Sequence, residues 1–193
     1  VLGHYALVVA LVSWLLFAGR SGFGQALTKR LSEGKEPGAY LLAGIVLLSG
    51  LAVVISLVVV LGRGYVEAYV GDFETDVHIV WFVLGLFVFE SVTTVTYSTL
   101  QGEDKVHIVG FIKPAGIGVR SLVQFALVVF TGAGLVGLLL GHIIGLALAG
   151  VASLAFVSVR PRKAEVRHLR SLGDYAKFSW LSTLQSRTYN NLD

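Results

Sequence analysis

The sequence predicts an all-α fold: a polytopic transmembrane helix bundle with five full spans and the start of a sixth. Three observations carry this expectation. Of 193 residues, 55% are hydrophobic and only 14% charged, with a mean hydropathy of +0.78, whereas a soluble domain carries about 25% charged residues. Several apolar runs reach the roughly 18–20 residues that cross a bilayer core. The 23 glycines suit close helix packing in lipid.

The first span is expected at about residues 3–23, and it passes into a basic amphipathic stretch ending at Lys29-Arg30. Glu36-Pro37 marks a helix start, because proline is tolerated in the first turn. The second span, about 39–61, is almost purely Leu, Val, Ile, Ala and Gly, which suits contact with lipid. An acidic loop with Glu67, Asp72, Glu74 and Asp76 precedes spans at about 77–100 and 108–130, which form a hairpin around Gln101–His107. The uncharged turn 131–134 leads to a fifth span at about 135–159. A basic linker, 160–177, precedes the start of a further helix at 178–193.

Loops 19–37 and 160–177 are basic, turn 101–107 with its flank supplies Lys105 and Lys113, and the loops between these three are acidic or uncharged. By the positive-inside rule these three are expected in the cytoplasm and position 1 outside. Methionine is absent, even at position 1, and the chain ends inside another stretch. It therefore reads as a piece of a longer protein, with an odd number of spans, most simply one, preceding it. Cysteine is absent too, which excludes disulfides, thiolate metal sites and a cysteine nucleophile. No signal peptide, phosphate loop, zinc spacing or catalytic triad is visible. The chain is accordingly not read as an enzyme, and no metal or cofactor is implied. The basic residues follow the membrane's periodicity, so membrane lipids rather than nucleic acid are the expected partners.

Within the hairpin, Glu90 and Arg120 lie at equal sequence distance from Lys105 and hence at equal expected depth. A charge near the bilayer centre costs roughly 2.5–3.5 kcal/mol on insertion scales, so it faces protein or a wet cavity. Glu90 thus reads either as half of a structural ion pair with Arg120 or as a cavity wall and ion or proton site. Thr94, Tyr97 and Gln101 follow it at i+4, i+7 and i+11, one helical face. Arg120 shares a face with Lys113 and Gln124, and its planar fork of donors suits phosphate or carboxylate. Pro114 beside Gly110, Gly116 and Gly118 predicts a kinked or locally unwound helix. Gly137, Gly141, Gly145 and Ala149 recur at every fourth position, a ridge for close packing. His142 stands beside that ridge, as a hydrogen-bonded structural residue or a proton relay. Arg187, with Asn190 and Asn191, lies in a stretch too polar to face lipid, which either stays in the cytoplasm or begins another span and lines the same polar space as Arg120. Arg20 is either an ordinary flanking charge or a residue of the cavity mouth.

Gly22-Phe-Gly-Gln-Ala-Leu-Thr-Lys-Arg30 closes an early span, and Thr99-Leu-Gln-Gly-Glu-Asp-Lys105 closes a later one. The basic linker is followed by Tyr175-Ala-Lys-Phe-Ser-Trp180 and Ser186-Arg-Thr-Tyr-Asn-Asn-Leu-Asp193. With these stretches the chain resembles, over essentially its whole length, the polysaccharide flippases of the multidrug/oligosaccharidyl-lipid/polysaccharide exporter superfamily. The resemblance implies one lobe of a two-lobe transporter, its partner being the second lobe of the same full-length chain. It also implies cargo of polyprenyl- or dolichyl-(di)phosphate-linked glycan, carried across the cytoplasmic membrane by alternating access. The candidates for phosphate contact are Arg120 and Arg187, with Lys113 and Arg20 beside them. Coupling to H+ or Na+ is open, with Glu90 and His142 as its candidates. Two other readings compete: a multidrug or cation antiporter of the same superfamily, with Glu90 as the ion site, and a non-transporting membrane scaffold.

Overall fold

The computed structural model describes residues 1–20, 22–71 and 78–190, apart from the side chains at 18–20 and 180–190. Among these residues the chain forms eight helices and no strand: α1 (Leu2–Arg20), α2 (Phe23–Ser32), α3 (Pro37–Leu61), α4 (Arg63–Val70), α5 (Ile79–Gly102), α6 (Val106–Thr131), α7 (Gly134–Leu154) and α8 (Val166–Asn190). Four of them, α3, α5, α6 and α7, are long and apolar enough to cross a membrane. The first expected span is met by α1, whose 19 residues, Leu2–Arg20, rise about 28 Å at 1.5 Å per residue. Gly22, at φ 90°, then turns the chain into α2.

Helix ends follow local chemistry. Pro37 occupies the first turn of α3 behind Glu36, a non-glycine residue at φ 52°. Gly132 and Gly134, at φ 66° and 48°, make the tight turn between α6 and α7. Across Pro114, α6 continues unbroken, so the local unwinding expected there does not occur. The ring removes one backbone bond, yet the turns on either side remain helical.

The main core joins α1, α4, α5 and α7 through Val8, Val12, Val66, Val83, Phe87 and Leu139. The apolar α3 leaves Val46, Val53, Val54, Leu57 and Val58 exposed, as a lipid-facing helix would. Although a short turn joins them, α5 and α6 do not form the closest pair. The α6–α7 contact is the most extensive in the structure, and α5 packs chiefly on α7 and α2. The two halves of the expected hairpin are splayed, with α7 seated against both.

The three loops expected in the cytoplasm meet at one end. The Glu103 carboxylate accepts from the Ser158 N–H (3.0 Å), the Val159 N–H (2.8 Å) and Lys105 Nζ (2.6 Å). The Arg162 N–H donates to the Gly38 carbonyl at 2.9 Å. The segment expected to be a linker turns helical at Val166, so α8 runs on across residue 177. Its first turns are held by amphipathic packing, with Leu172 and Ala176 against Ala26 and Ala43. His168 serves as a cap: its Nδ1 accepts the Glu165 N–H at 3.0 Å, and its Nε2–H donates to Glu36 at 3.0 Å. That bond from His168, with the nearby Arg167 charge, holds the Glu36 carboxyl below its usual value despite some loss of hydration.

Candidate functional site

A cavity of about 220 Å3 opens between α5, α6 and α7, near the middle of each helix. Glu90, Thr93 and Tyr97 line it from α5, and Lys113, Gly116 and Arg120 line it from α6. Three full charges thus share one space at membrane depth, two of them positive. A second hollow of about 240 Å3, between α3, α5 and α7, offers only Ser49, Ser91 and Thr96 as polar groups and no charge.

Why the cavity exists follows from the glycine ridge. A Cβ on Gly145 would lie 2.6 Å from Arg120 Cβ and 2.9 Å from its Cα. One on Gly141 would lie 2.8 Å from the Gln124 backbone nitrogen, and one on Gly116 would lie 3.0 Å from Ala149 Cβ. The first two sites put a Cβ closer than side-chain carbons tolerate and the third is tight, so α6 reaches α7 only because positions 116, 141 and 145 carry no side chain. The same contact sets the root of Arg120 against α7 and draws α6 away from α5. The space left between them is the cavity.

A hydrogen-bonded chain anchors its rear wall. Arg120 Nη1 lies 3.0 Å from His142 Nε2, and His142 Nδ1 lies 3.0 Å from Tyr5 Oη. Gln124 Nε2 donates to Tyr5 Oη at 3.2 Å and to the Leu138 carbonyl at 2.7 Å. Arg120 Nε is buried and without a hydrogen-bond partner.

Of the residues singled out in the sequence, Glu90, Tyr97, Lys113 and Arg120 converge on the cavity. Gln124 and His142 do not line it; they hold Arg120 and α1 from behind. Thr94 is turned away. Its hydroxyl donates to the Glu90 carbonyl at 2.9 Å, and its methyl sits against Gly24 of α2. Gln101 is exposed at the end of α5, beyond the cavity. The stripe expected at i, i+4, i+7 and i+11 therefore becomes Glu90, Thr93 and Tyr97, at i, i+3 and i+7. The side chains of Arg20, Arg187 and Asn190, and the whole of Asn191, lie outside the described residues. Tyr5 gave no signal in the sequence, because a tyrosine near the start of an apolar run looks like any interfacial aromatic. No grouping of three or more His, Cys, Asp or Glu residues suited to a metal occurs among the described residues.

Comparison with known proteins agrees with this architecture. The chain matches the family described as polysaccharide biosynthesis protein over residues 2–193. It belongs to that family. It is 30% identical to the "Probable flippase AglR" of Haloferax volcanii over 197 aligned residues, which cover 99% of this chain and 39% of that relative. The chain therefore spans well under half of that relative's length. No solved structure matches it. Family membership and four candidate spans make this a multi-pass membrane protein.

Proposed function

We propose that the chain is one lobe of a flippase that moves a lipid-linked oligosaccharide or polysaccharide precursor across the cytoplasmic membrane by alternating access. The cavity supplies the phosphate grip. The carrying observation is the pairing of Lys113 and Arg120 on one wall at bilayer depth, with a single acid, Glu90, opposite. Charges so placed are costly, and they persist where they meet a charged ligand or each other. A polyprenyl or dolichyl (di)phosphate has its charge where the isoprenoid tail ends, so its head can enter a polar hollow while the tail stays in lipid. Arginine suits such a head because its fork donates to two oxygens at once and never loses its charge. Lys113 adds a point charge, and Glu90 keeps the wall from holding the anion permanently. Two cations against one acid disfavour the competing antiport of cationic cargo. Other lobe-forming residues of the full-length chain, with Arg187, would complete the binding space.

Arg120→Ala in the full-length protein tests this reading. Surface glycan should be lost while the protein's abundance in the membrane stays at the wild-type level. Export that survives the substitution would remove the basis of the proposal.

A further inference from the structure

We infer that His142, fixed by Tyr5 in its neutral Nδ1–H form, is the positioning residue that holds Arg120 ready for an anionic ligand; this rests on the phosphate-binding reading above. The donor inventory leaves one assignment. A guanidinium can only donate, so His142 Nε2, 3.0 Å from Arg120 Nη1, must carry a lone pair. The ring proton is then on Nδ1, and it donates to Tyr5 Oη at 3.0 Å. That oxygen also receives an N–H of Gln124, whose other N–H is taken by the Leu138 carbonyl. The opposite tautomer would set N–H against N–H at Arg120. Three helices, α1, α6 and α7, thus define the protonation pattern of a single ring.

The chemistry of that partner matters for the ligand. A carboxylate in the place of His142 would orient the guanidinium equally well, but it would cancel the charge. A neutral imidazole orients it and leaves the full charge available. Orientation beforehand also removes the loss of rotamer freedom that a long, loose arginine suffers when it closes on an anion. The unpartnered Arg120 Nε shows that the protein does not use every donor of the group. Gly141 and Gly145, on either side of His142, permit the close helix approach that makes the bond to Arg120 short enough.

The test uses the full-length protein in nanodiscs, with dolichyl phosphate as the probe. His142→Phe should weaken its binding roughly tenfold, the scale of one lost hydrogen bond to a charged group. His142→Gln, which keeps an acceptor and a donor, should restore affinity to within about threefold of the wild type. In an Arg120→Gln background, His142→Phe should cause no further loss, because its effect passes through Arg120. Tyr5→Phe keeps the ring in place and should weaken binding less than His142→Phe does; it serves if the phenylalanine variant at 142 fails to fold. Nitrogen-15 spectra of histidine-labelled protein, assigned with His142→Gln, should show the His142 proton on Nδ1. Wild-type affinity in His142→Phe, additive losses in the double variant, or a proton on Nε2 would each overturn the inference. Wild-type affinity in Arg120→Gln would instead overturn the phosphate reading, and the spectra would then still decide whether His142 holds Arg120.

Discussion

At Glu103 a single carboxylate ties the α5–α6 turn to the segment after α7, and its protonation shows how. Burial alone would raise its pKa. The Lys105 ammonium and the N–H groups of Val159 and Ser158 outweigh that effect and lower it below the usual 4.5. A carboxyl lowered on folding stabilises the structure above its unfolded pKa, and that contribution fades as pH falls through the folded value. The clasp should therefore be intact at neutral pH and loosen below about pH 4.5. Glu103→Ala should lower stability by about 2 kcal/mol at pH 7, the scale of losing charge-assisted bonds at a mostly buried acid. It should also flatten the acid limb of the unfolding profile. Thermal unfolding across pH checks both outcomes. At this scale the charged members of the cavity were legible in the sequence, since Glu90, Lys113 and Arg120 are conspicuous among apolar neighbours. The hydroxyl residues were harder to place. Thr94 satisfies itself on its own helix, and periodicity alone could not show which way it turns.

The decisive element is the face between α6 and α7. Its small-residue period of four was visible as a packing ridge, and the structure shows what the ridge packs against. The penalties for adding a methyl should be graded. Gly145→Ala and Gly141→Ala meet backbone atoms within 3 Å and should each cost about 1–3 kcal/mol through overpacking. They should also displace Arg120 and impair export. Gly137→Ala, whose nearest neighbours lie at 3.2 Å, should cost less, and Gly118→Ala, with open space around it, should be neutral or mildly stabilising. Unfolding of the four variants side by side, with surface glycan as the second readout, tests the order. Equal penalties at 118 and 145 would contradict the packing. The small direct contact between α5 and α6 has a related reason. A short turn makes two helices neighbours in sequence, but the closest pair is the one whose side chains allow approach. The glycines of α7 admit α6, whereas Glu90, Thr93 and Tyr97 of α5 face it across the cavity.

Across the whole molecule, the segments around Glu36, Glu103 and Arg162 gather at one end, and the turn at 132–133 lies at the other. This arrangement makes a labelling prediction that the lack of cysteine simplifies. In a cysteine-free full-length background, Asp104→Cys and Lys163→Cys should be protected from a membrane-impermeant maleimide in intact cells, whereas Ala133→Cys should react. Labelling of all three positions, or the reverse pattern, would invert the topology. The membership of α8 is a second matter of whole-molecule scale. The polar run before Tyr175 looked like a linker because its charges are dense. Spaced along a helix, however, they leave His168, Leu172 and Ala176 on one buried face.

Composition and charge order were enough to establish a helical membrane protein, its alternating loops and the charged residues that lipid would reject. Those properties depend on transfer free energies, which each residue carries wherever it lies in the chain. The splay of α5 from α6, the inward turn of Thr93 in place of Thr94, and the Tyr5–His142–Arg120 chain were settled only by packing in three dimensions. Each depends on which surfaces can come within about 3–4 Å of one another. That is a property of pairs of distant segments: Tyr5 and His142 are separated by 137 positions, and only their shared contact gives either a role.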